Sequence, residues 1–378
     1  MRVIVIGAGL GGLALAQALR GKGVDVEVHE RDAGVEARFQ GYRIGLSDQA
    51  VADVRGCLPE RLHALLLAIS GEATGPGRMV DSQLVELGRT PARDEGLLFD
   101  RHVLRHLLLA DLADQVRFDR HFTGYTELPD GRVLARFADG SELTADLLVG
   151  ADGMGSTVRR QLLPDVQIVD AGVSGAIGRT MLTERFADLV PGWSTLVVGD
   201  GLQLFLGKMP FRRSPAAAAA ELAPDVHLPD TSSYLRWVML MPIDRAATDL
   251  PLGIGPMAAL DGVLDLIRDW HPELRALIEH ADRDNSGVGP LRVATPIGLW
   301  PTGAVTLLGD AAHPMPPGGL GANLAFQDAR LLTAAIIDPT DRPAAVADYE
   351  QRMRAYAAVA REEAMGTLAM LNELKAPA

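Results

Sequence analysis

The strongest constraint on this chain lies in its first thirty residues, where a glycine-rich turn separates two short apolar runs. Residues 3–6 form an apolar run, residues 24–28 form a second run in which valine alternates with acidic residues, and Glu30 follows it. A helical pattern of leucine and alanine fills the interval. The turn consists of Gly7, Ala8, Gly9, Leu10, Gly11 and Gly12. This order of strand, glycine turn, helix, strand and acid predicts a βαβ unit that binds a dinucleotide.

Each glycine and the acid has a part in this interpretation. Gly7 would allow the tight turn, Gly9 would let the backbone approach a pyrophosphate, and Gly12 would let the helix pack close to the strand. The N-terminus of the helix would offer N–H groups and partial positive charge to the phosphates. Glu30 stands where a carboxylate would bind an adenosine ribose and repel a 2′-phosphate. The alternative is a glycine-rich turn in an ordinary α/β protein.

Length and composition are those of a globular enzyme. The chain has 378 residues, of which 48% are hydrophobic and 22% charged, enough for one large or two interleaved domains. A net charge of −13 argues against nucleic acid or an anionic membrane as the main partner. The single cysteine, Cys57, excludes an internal disulfide. With neither a membrane span nor a signal peptide in the sequence, we expect a cytoplasmic protein, either a monomer or a homodimer.

Two further apolar runs end in glycine and aspartate. Residues 147–149 lead into Asp152-Gly153, and residues 304–308 lead into Gly309-Asp310. The carboxyl ends of parallel strands face the ligand crevice of a doubly wound sheet, so we expect these ends to converge on one extended ligand. Residues 309–323 add prolines that restrict the loop, glycines that allow close approach, and a new helix. The positive end of that helix suits a group that becomes negative during reaction.

The remaining pattern predicts an α/β protein with interleaved domains. Residues 168–295 contain short alternating runs that predict a mostly antiparallel sheet for the substrate, and residues 343–375 predict a long C-terminal helix. We expect a Rossmann-like nucleotide domain from residues 1–70, 97–167 and 296–340. A substrate domain would comprise residues 71–96 and 168–295, and the C-terminal helix residues 341–378.

On these motifs the chain resembles the class A flavin-dependent monooxygenases typified by para-hydroxybenzoate hydroxylase, and most of all the aromatic-polyketide and tetracycline hydroxylases. The resemblance covers nearly the whole chain and implies the para-hydroxybenzoate hydroxylase fold with FAD in its nucleotide domain. It rests on residues 7–12 with Glu30 and Arg31, on Asp100-Arg101 opening a helix, on Asp152-Gly153 with Arg159, and on residues 309–323.

The resemblance implies a role for each matching residue. Residues 7–12 would hold the FAD pyrophosphate, Glu30 the adenosine ribose, and Arg31 would flank the adenine. Arg101 would reach the flavin or its phosphates, and Asp310 the ribityl chain or pyrophosphate. Asp152 belongs to a motif that relatives use for both FAD and the passing NAD(P)H. The residues expected against the isoalloxazine are Pro317, Gly319, Gly321, Ala322 and Asn323.

The implied chemistry is reduction of non-covalently bound FAD by NADH or NADPH, formation of a C4a-hydroperoxyflavin with O₂, and hydroxylation of an aromatic or polycyclic small molecule. Arg43 is the candidate catalytic residue because relatives approach the flavin at this point. His227 and His271 are alternative bases, although a surface or capping role suits them better. No metal site is expected. The residues expected to contact a flat hydrophobic substrate are Leu204, Leu206, Trp237 and Met239, with ordinary sheet core as the alternative.

Two other functions stay open on the sequence alone. A related flavoenzyme could oxidise, reduce or perform Baeyer–Villiger insertion on a similar substrate, and a non-catalytic module could merely bind flavin. Flavin halogenation is disfavoured because residues 236–242 lack the Trp-x-Trp-x-Ile-Pro pattern of that group.

Overall fold

A computed structural model describes residues 1–37, 41–92, 95–242, 256–316, 319–338 and 340–373. Its strands, numbered along the chain, are β1 (Arg2–Ile6), β2 (Asp25–His29), β3 (Arg43–Leu46), β4 (Pro76–Asp81), β5 (Glu86–Ala92), β6 (Leu97–Asp100), β7 (Val116–Arg117), β8 (Phe122–Glu127), β9 (Val133–Phe137), β10 (Glu142–Ala145), β11 (Leu147–Gly150), β12 (Ile168–Met181), β13 (Thr195–Gly199), β14 (Leu202–Met209), β15 (Tyr234–Pro242), β16 (Gly287–Ala294) and β17 (Val305–Leu307).

The helices alternate with these strands, and two short 3₁₀ turns occupy Glu60–Leu62 and Gly309–Ala311. The α-helices are α1 (Leu10–Gly21), α2 (Asp48–Cys57), α3 (His63–Ala68), α4 (Arg101–Leu109), α5 (Thr157–Leu162), α6 (Glu184–Ala187), α7 (Pro215–Leu222), α8 (Pro256–Leu266), α9 (Pro272–Glu279), α10 (Gly321–Ile336) and α11 (Arg342–Glu373).

The first sheet is parallel, in the order β17-β11-β1-β2-β7. Strands β1 and β11 are almost entirely buried, as expected for a parallel sheet covered on both faces. The register aligns Ile6 with Gly150 and Gly150 with Leu307, so the three strands end side by side. The turns that follow them therefore leave the sheet at one common edge.

The second sheet has seven strands in the order β16-β12-β15-β14-β13-β4-β5. All neighbours are antiparallel except β13 and β4, so the sheet is mostly antiparallel. Apolar side chains from one of its faces form a buried cluster with residues of α8 and α9, among them Val263, Leu274 and Leu277. One face is thus sealed by helices, which leaves the other to meet the nucleotide-binding part of the molecule.

The long C-terminal helix α11 is fastened to the end of the parallel sheet. The Tyr349 hydroxyl donates to the carbonyl oxygen of Leu307 at 2.7 Å, and the buried Glu350 carboxylate accepts from Trp300 at 3.0 Å and from Thr306 at 2.9 Å. Burial of these polar groups has a low free-energy cost because each has a hydrogen-bond partner. Within the described ranges, the helix search finds none long and apolar enough to cross a membrane.

The fold class predicted from the sequence is confirmed, and the differences are local. Residues 59–70, whose sequence pattern is that of one amphipathic helix, form a 3₁₀ turn followed by the short α3. Residues 116–121 have the pattern of one strand, but the strand ends at Arg117, and Asp119 adopts a left-handed φ of 56° that turns the chain. The fourteen-residue β12 escaped prediction because its glycines resemble turns. One of them, Gly178, makes room for the Trp237 ring, which a Cβ would approach to 2.1 Å.

Candidate active site

The glycine-rich turn packs directly against the end of the neighbouring strand. Gly7 has a φ of +110°, and a Cβ there would lie 2.4 Å from the carbonyl oxygen of Ala151. A Cβ on Gly12 would lie 2.2 Å from the carbonyl oxygen of Gly7, and one on Gly11 would lie 2.7 Å from Leu308 Cδ1. The turn is therefore compressed against its own helix, β11 and the segment after β17, where only glycine fits.

Gly9 differs from the other glycines of the turn. Among the described residues, no atom lies within 4 Å of the position that a Cβ on Gly9 would occupy, and no side chain caps the helix α1 that begins after it. The space beside Gly9, at the N-terminus of this twelve-residue helix, is thus open. This is the arrangement that binds the phosphates of a dinucleotide.

Glu30 lies next to this turn and is only 5% exposed. One carboxylate oxygen accepts from the Ala8 amide at 2.8 Å, and the other accepts from the Asp32 amide at 3.0 Å. The fully buried Arg105 of α4 donates to the Ala8 carbonyl at 2.9 Å and to the Val35 carbonyl at 3.1 Å, and lies 3.7 Å from Glu30. Arg105, which sequence reasoning missed, joins the glycine turn to the segment after β2.

Arg105 could have been found from its spacing. It follows Arg101 by four residues on α4, so the two side chains lie on one helix face. Arg101 itself stands at the first position of α4, with its amide bonded to the Tyr42 carbonyl at 2.8 Å. Arg31, expected beside the adenine, is exposed at the surface.

Asp152 and Arg159 organise the turn after β11. The Asp152 carboxylate accepts from the Ser156 hydroxyl and from the Thr157 amide at 2.6 Å, so it caps the start of α5. Burial raises the pKa of Asp152 despite these hydrogen bonds, which favour its charged form. Arg159 is 1% exposed and donates to the carbonyls of Asp310 at 3.2 Å and Ala311 at 3.0 Å. It fastens this turn to the one after β17.

Asp310 and the start of α10 lie beside each other. A Cβ on Gly321, the first residue of α10, would be 3.4 Å from Asp310 Oδ1, and the described residues provide no side-chain cap for this helix. Asn323 donates to the Gly45 carbonyl at 3.0 Å and accepts from the Ser47 amide at 2.9 Å. Its amide therefore holds the β3–α2 connection. Near it are Gly319, with a φ of +83°, and the half-buried Ala322, whereas Pro317 lies outside the described residues.

A buried ion pair supports the proline-rich loop from behind. His313 Nε2 lies 2.7 Å from Asp328 Oδ2, which also accepts from the Gly309 amide at 2.7 Å. Burial alone would lower the pKa of His313, but the Asp328 carboxylate outweighs it and raises the pKa above its usual value. The Tyr356 hydroxyl of α11 donates to the second oxygen of Asp328. The turn at Asp310 is thus held by the C-terminal helix as well as by the sheet.

Aromatic and charged side chains join the second sheet to α4 and to the separate antiparallel pair β3 and β6. The buried Tyr234 hydroxyl donates to Asp100 Oδ2 at 2.7 Å, while Asp100 Oδ1 caps α4. Burial, with the Asp100 charge, raises the pKa of Tyr234 well above its ordinary value. Arg179 lies 5.3 Å from the Tyr42 ring centroid and 5.6 Å from that of Tyr234, and pairs with Asp282 at 2.9 Å. This junction places charged groups at one end of the second sheet.

Arg43, the candidate catalytic residue, belongs to the same junction. Its Nη1 donates to the Lys208 carbonyl at 2.8 Å, and a Cβ on Gly207 would lie 2.6 Å from that nitrogen. The guanidinium therefore lies flat on the backbone of β14. This contact assigns Arg43 a part in holding β3 against the substrate sheet.

The four residues expected to contact substrate lie on the helix-covered face of the second sheet. Leu204, Leu206, Trp237 and Met239 are at most 1% exposed and belong to the cluster with α8 and α9. Their surroundings are those of an ordinary sheet core, which was the alternative to substrate contact. The alternating residues point to the opposite face, whose half-buried apolar members are Met79, Ile177, Leu196, Phe205, Val238 and Leu240.

Arg236 lies on this opposite face, in register with Gly207 of β14 and Arg179 of β12. Its Nε is shielded from solvent and has no hydrogen-bond partner in the described part of the chain. Burial lowers the pKa of Arg236. The alternation of β15 separates the two faces in the sequence, because Tyr234 and Arg236 interrupt one apolar row while the other row is unbroken.

The two candidate histidines occupy a capping position and an exposed position. His271 is the N-cap of α9, where its Nδ1 accepts from the Glu273 amide at 3.2 Å. His227 is exposed. Neither lies in the junction formed by Tyr42, Asp100 and Tyr234.

Known proteins are similar to this chain in sequence and in fold. Residues 292–364 match the family model described as an FAD binding domain, and residues 5–55 match that of an NAD(P)-binding Rossmann-like domain. A structure described as an FAD-containing monooxygenase from Photorhabdus luminescens is 30% identical, with a TM-score of 0.83, and the match covers 98% of both chains. The chain belongs to the FAD-dependent monooxygenases.

Other relatives extend the comparison. The dual O-methyltransferase/FAD-dependent monooxygenase of Cercospora beticola is 31% identical over 93% of this chain, but the match covers only 44% of that protein. The chain therefore spans less than half the length of this curated relative. The Klebsiella pneumoniae HpxO structure with FAD and uric acid is 23% identical, with a TM-score of 0.80, and the match covers 99% of this chain and 89% of that one. At this identity it shows a shared fold.

The residues at the common edge of the first sheet fit FAD. The open space at Gly9 and the amides of α1 suit a pyrophosphate, and the Glu30 carboxylate suits a ribose. Asp310, beside the start of α10, suits the hydroxyls of a ribityl chain. When bound, FAD would supply electron transfer and oxygen activation, while the protein supplies binding and orientation.

Replacing Asp310 by alanine tests this placement. We expect the FAD dissociation constant to rise by about tenfold or more, because hydrogen bonds to a charged group contribute about 1.5–3 kcal/mol. Flavin absorbance per mole of purified protein, followed by titration of the apoprotein with FAD, measures the change. Asp269→Ala, at a side chain 88% exposed, is the matched control. Undiminished flavin binding by Asp310→Ala would contradict the assignment.

Proposed function

We propose that this protein uses FAD, NADH or NADPH and O₂ to hydroxylate a flat, largely apolar aromatic molecule that carries an acidic hydroxyl group. The observation that carries the proposal is the opposite face of the second sheet. This face combines half-buried apolar side chains, such as Phe205 and Val238, with the guanidinium of Arg236 and the Tyr234–Asp100 pair. Apolar walls with a few oriented polar groups are typical of sites for small aromatic ligands.

The chain's own residues would act by binding and orientation. The apolar row would stack against the ring and exclude water, and Arg236 would offer positive charge to an ionised ring hydroxyl. Ionisation of that hydroxyl makes the ring a better nucleophile, so a neighbouring positive charge would favour the reactive form. The relatives whose names give monooxygenase activity, and the uric acid held by HpxO, support a small cyclic substrate.

The decisive experiment is turnover with isotopic oxygen. The FAD-loaded protein is mixed with NADH or NADPH and a panel of polycyclic phenols and quinones under ¹⁸O₂, and products are analysed by mass spectrometry. We expect one labelled oxygen in a ring hydroxyl, and faster anaerobic flavin reduction in the presence of the right ligand. Reactions without nicotinamide provide the control.

The other outcomes separate the alternatives. A labelled oxygen inserted into a carbon–carbon bond would indicate Baeyer–Villiger chemistry and contradict hydroxylation. Oxidised or reduced product without label would reject oxygen insertion altogether. Flavin that neither nicotinamide bleaches with any ligand of the panel would favour the non-catalytic module.

A further inference from the structure

Two histidines and a glutamate meet on the outer face of α4, away from the cleft residues described above. His102 and His106 are one helical turn apart, and the centroids of their rings are 4.6 Å apart in an edge-to-face arrangement. The Nε2 atoms of both rings lie 3.0 Å from the carboxylate of Glu36. All three side chains reach solvent, with exposed fractions of 35%, 18% and 70% for His102, His106 and Glu36.

The three donor atoms lie within 4.8 Å of one another, close enough for small side-chain movements to bring them around one metal ion. In a tetrahedral zinc site with bonds of about 2.0–2.1 Å, the ligand atoms stand roughly 3.3 Å apart. The 3.0 Å separations from Glu36 therefore need to widen by only a few tenths of an ångström. Two imidazoles and one carboxylate suit zinc and its neighbours in the first transition row, but not magnesium.

We propose that His102, His106 and Glu36 form a binding site for a divalent transition-metal ion, with zinc(II) as its representative, and that the ion fastens residues 31–37 to α4. Water would complete the coordination. The consequence reaches the cofactor site through Arg105, which binds the carbonyl of Val35, next to Glu36, and that of Ala8 in the glycine turn. An ion bound to Glu36 would thus restrain the segment that follows Glu30.

Metal binding by the FAD-loaded protein tests the site directly. Tag-free protein is treated with EDTA, dialysed and titrated with ZnCl₂ in a calorimeter, beside His106→Ala and the control His121→Ala. His121 is 59% exposed on its ring, and its nearest acid is Asp119 at 3.7 Å. We expect one zinc ion per wild-type chain. His106→Ala should bind it at least about tenfold more weakly, since the loss of even an outer-shell partner has an effect of this size.

A matched comparison keeps the result interpretable. In EDTA, circular dichroism should be the same for wild type, His106→Ala and His121→Ala, and the thermal midpoint of each protein in EDTA is the reference for the effect of zinc on that protein. At about ten times its wild-type dissociation constant, zinc should raise the wild-type midpoint by about 2 °C and that of His106→Ala by less than about 1 °C. Equal zinc affinity in wild type and His106→Ala, or the loss of binding only in His121→Ala, would overturn the site.

The link to the cofactor has its own readout, which rests on FAD lying at the glycine turn. Release of FAD is followed by the rise of flavin fluorescence in mild denaturant, with and without zinc. Slower release in wild type but not in His106→Ala would support the restraint. Zinc binding that leaves the release rate unchanged would overturn the proposed fastening of residues 31–37, and MgCl₂ should have no effect on either variant.

Discussion

Replacing Gly7 by alanine is expected to lower the free energy of unfolding by about 2–5 kcal/mol and to yield protein without flavin. The φ of +110° is unfavourable for any side chain, and the new Cβ would lie 2.4 Å from the Ala151 carbonyl oxygen. That oxygen cannot retreat easily, because Ala151 follows β11 and its amide is bonded to the Ile6 carbonyl at 2.8 Å. Urea denaturation and the flavin absorbance of the purified protein measure both effects.

Two other glycines of the same segment provide controls. Gly21 ends α1, and Gly9 precedes it; no described atom lies within 4 Å of a Cβ at either position. Gly21→Ala should keep the free energy of unfolding within about 1 kcal/mol of wild type, with a small gain in helix propensity, and should leave flavin binding unchanged. Gly9→Ala should fold normally but bind FAD more weakly, since its methyl group would occupy the space expected for the pyrophosphate. A stable Gly7→Ala protein with a full complement of bound FAD would contradict this account of the turn.

Replacing Trp237 by alanine is expected to lower the free energy of unfolding by about 3–5 kcal/mol, as large deletions in a core do. Trp237 is 1% exposed and packs in the cluster shared by the second sheet and α8 and α9. Its ring also covers Gly178, so truncation leaves a cavity on two sides. Chemical denaturation measures the loss.

Phe205→Ala is the matched substitution on the opposite face of that sheet. Phe205 pairs with Val238 and is half-buried, so its truncation should cost much less stability than that of Trp237. On the proposed function, it should raise the KM for the aromatic substrate, which turnover assays measure. If Trp237→Ala instead changed KM at unaltered stability, the assignment of the two faces would be reversed.

Sequence reasoning worked best where the chemistry is local. The glycine turn, Glu30 and Asp310 each follow directly after a strand in the sequence, and the parallel sheet places the ends of these strands at one edge. Pattern and fold agree here because parallel strands that end in register must direct their turns to the same side.

The substrate side resisted prediction because it depends on which face of a sheet the helices cover. The alternation of β15 separates Trp237 from Arg236, but alternation does not tell which row meets a ligand. The residues predicted to contact the substrate belong to the apolar row, and this row lies under α8 and α9. Asp152 shows the same limit, since its motif was recognised while its carboxylate turned out to cap α5.

The sequence by itself determined the class of fold, the dinucleotide turn and the resemblance to flavin monooxygenases, since each depends on residue type and spacing along the chain. Only the tertiary structure decided that Arg105 joins the turn to residues 31–37, that Tyr234 meets Asp100, and that Glu36 reaches two histidines of α4. Tyr234 and Asp100 are 134 positions apart, and Glu36 is 66 from His102. Contacts over such separations are set by how elements pack, which no local pattern encodes.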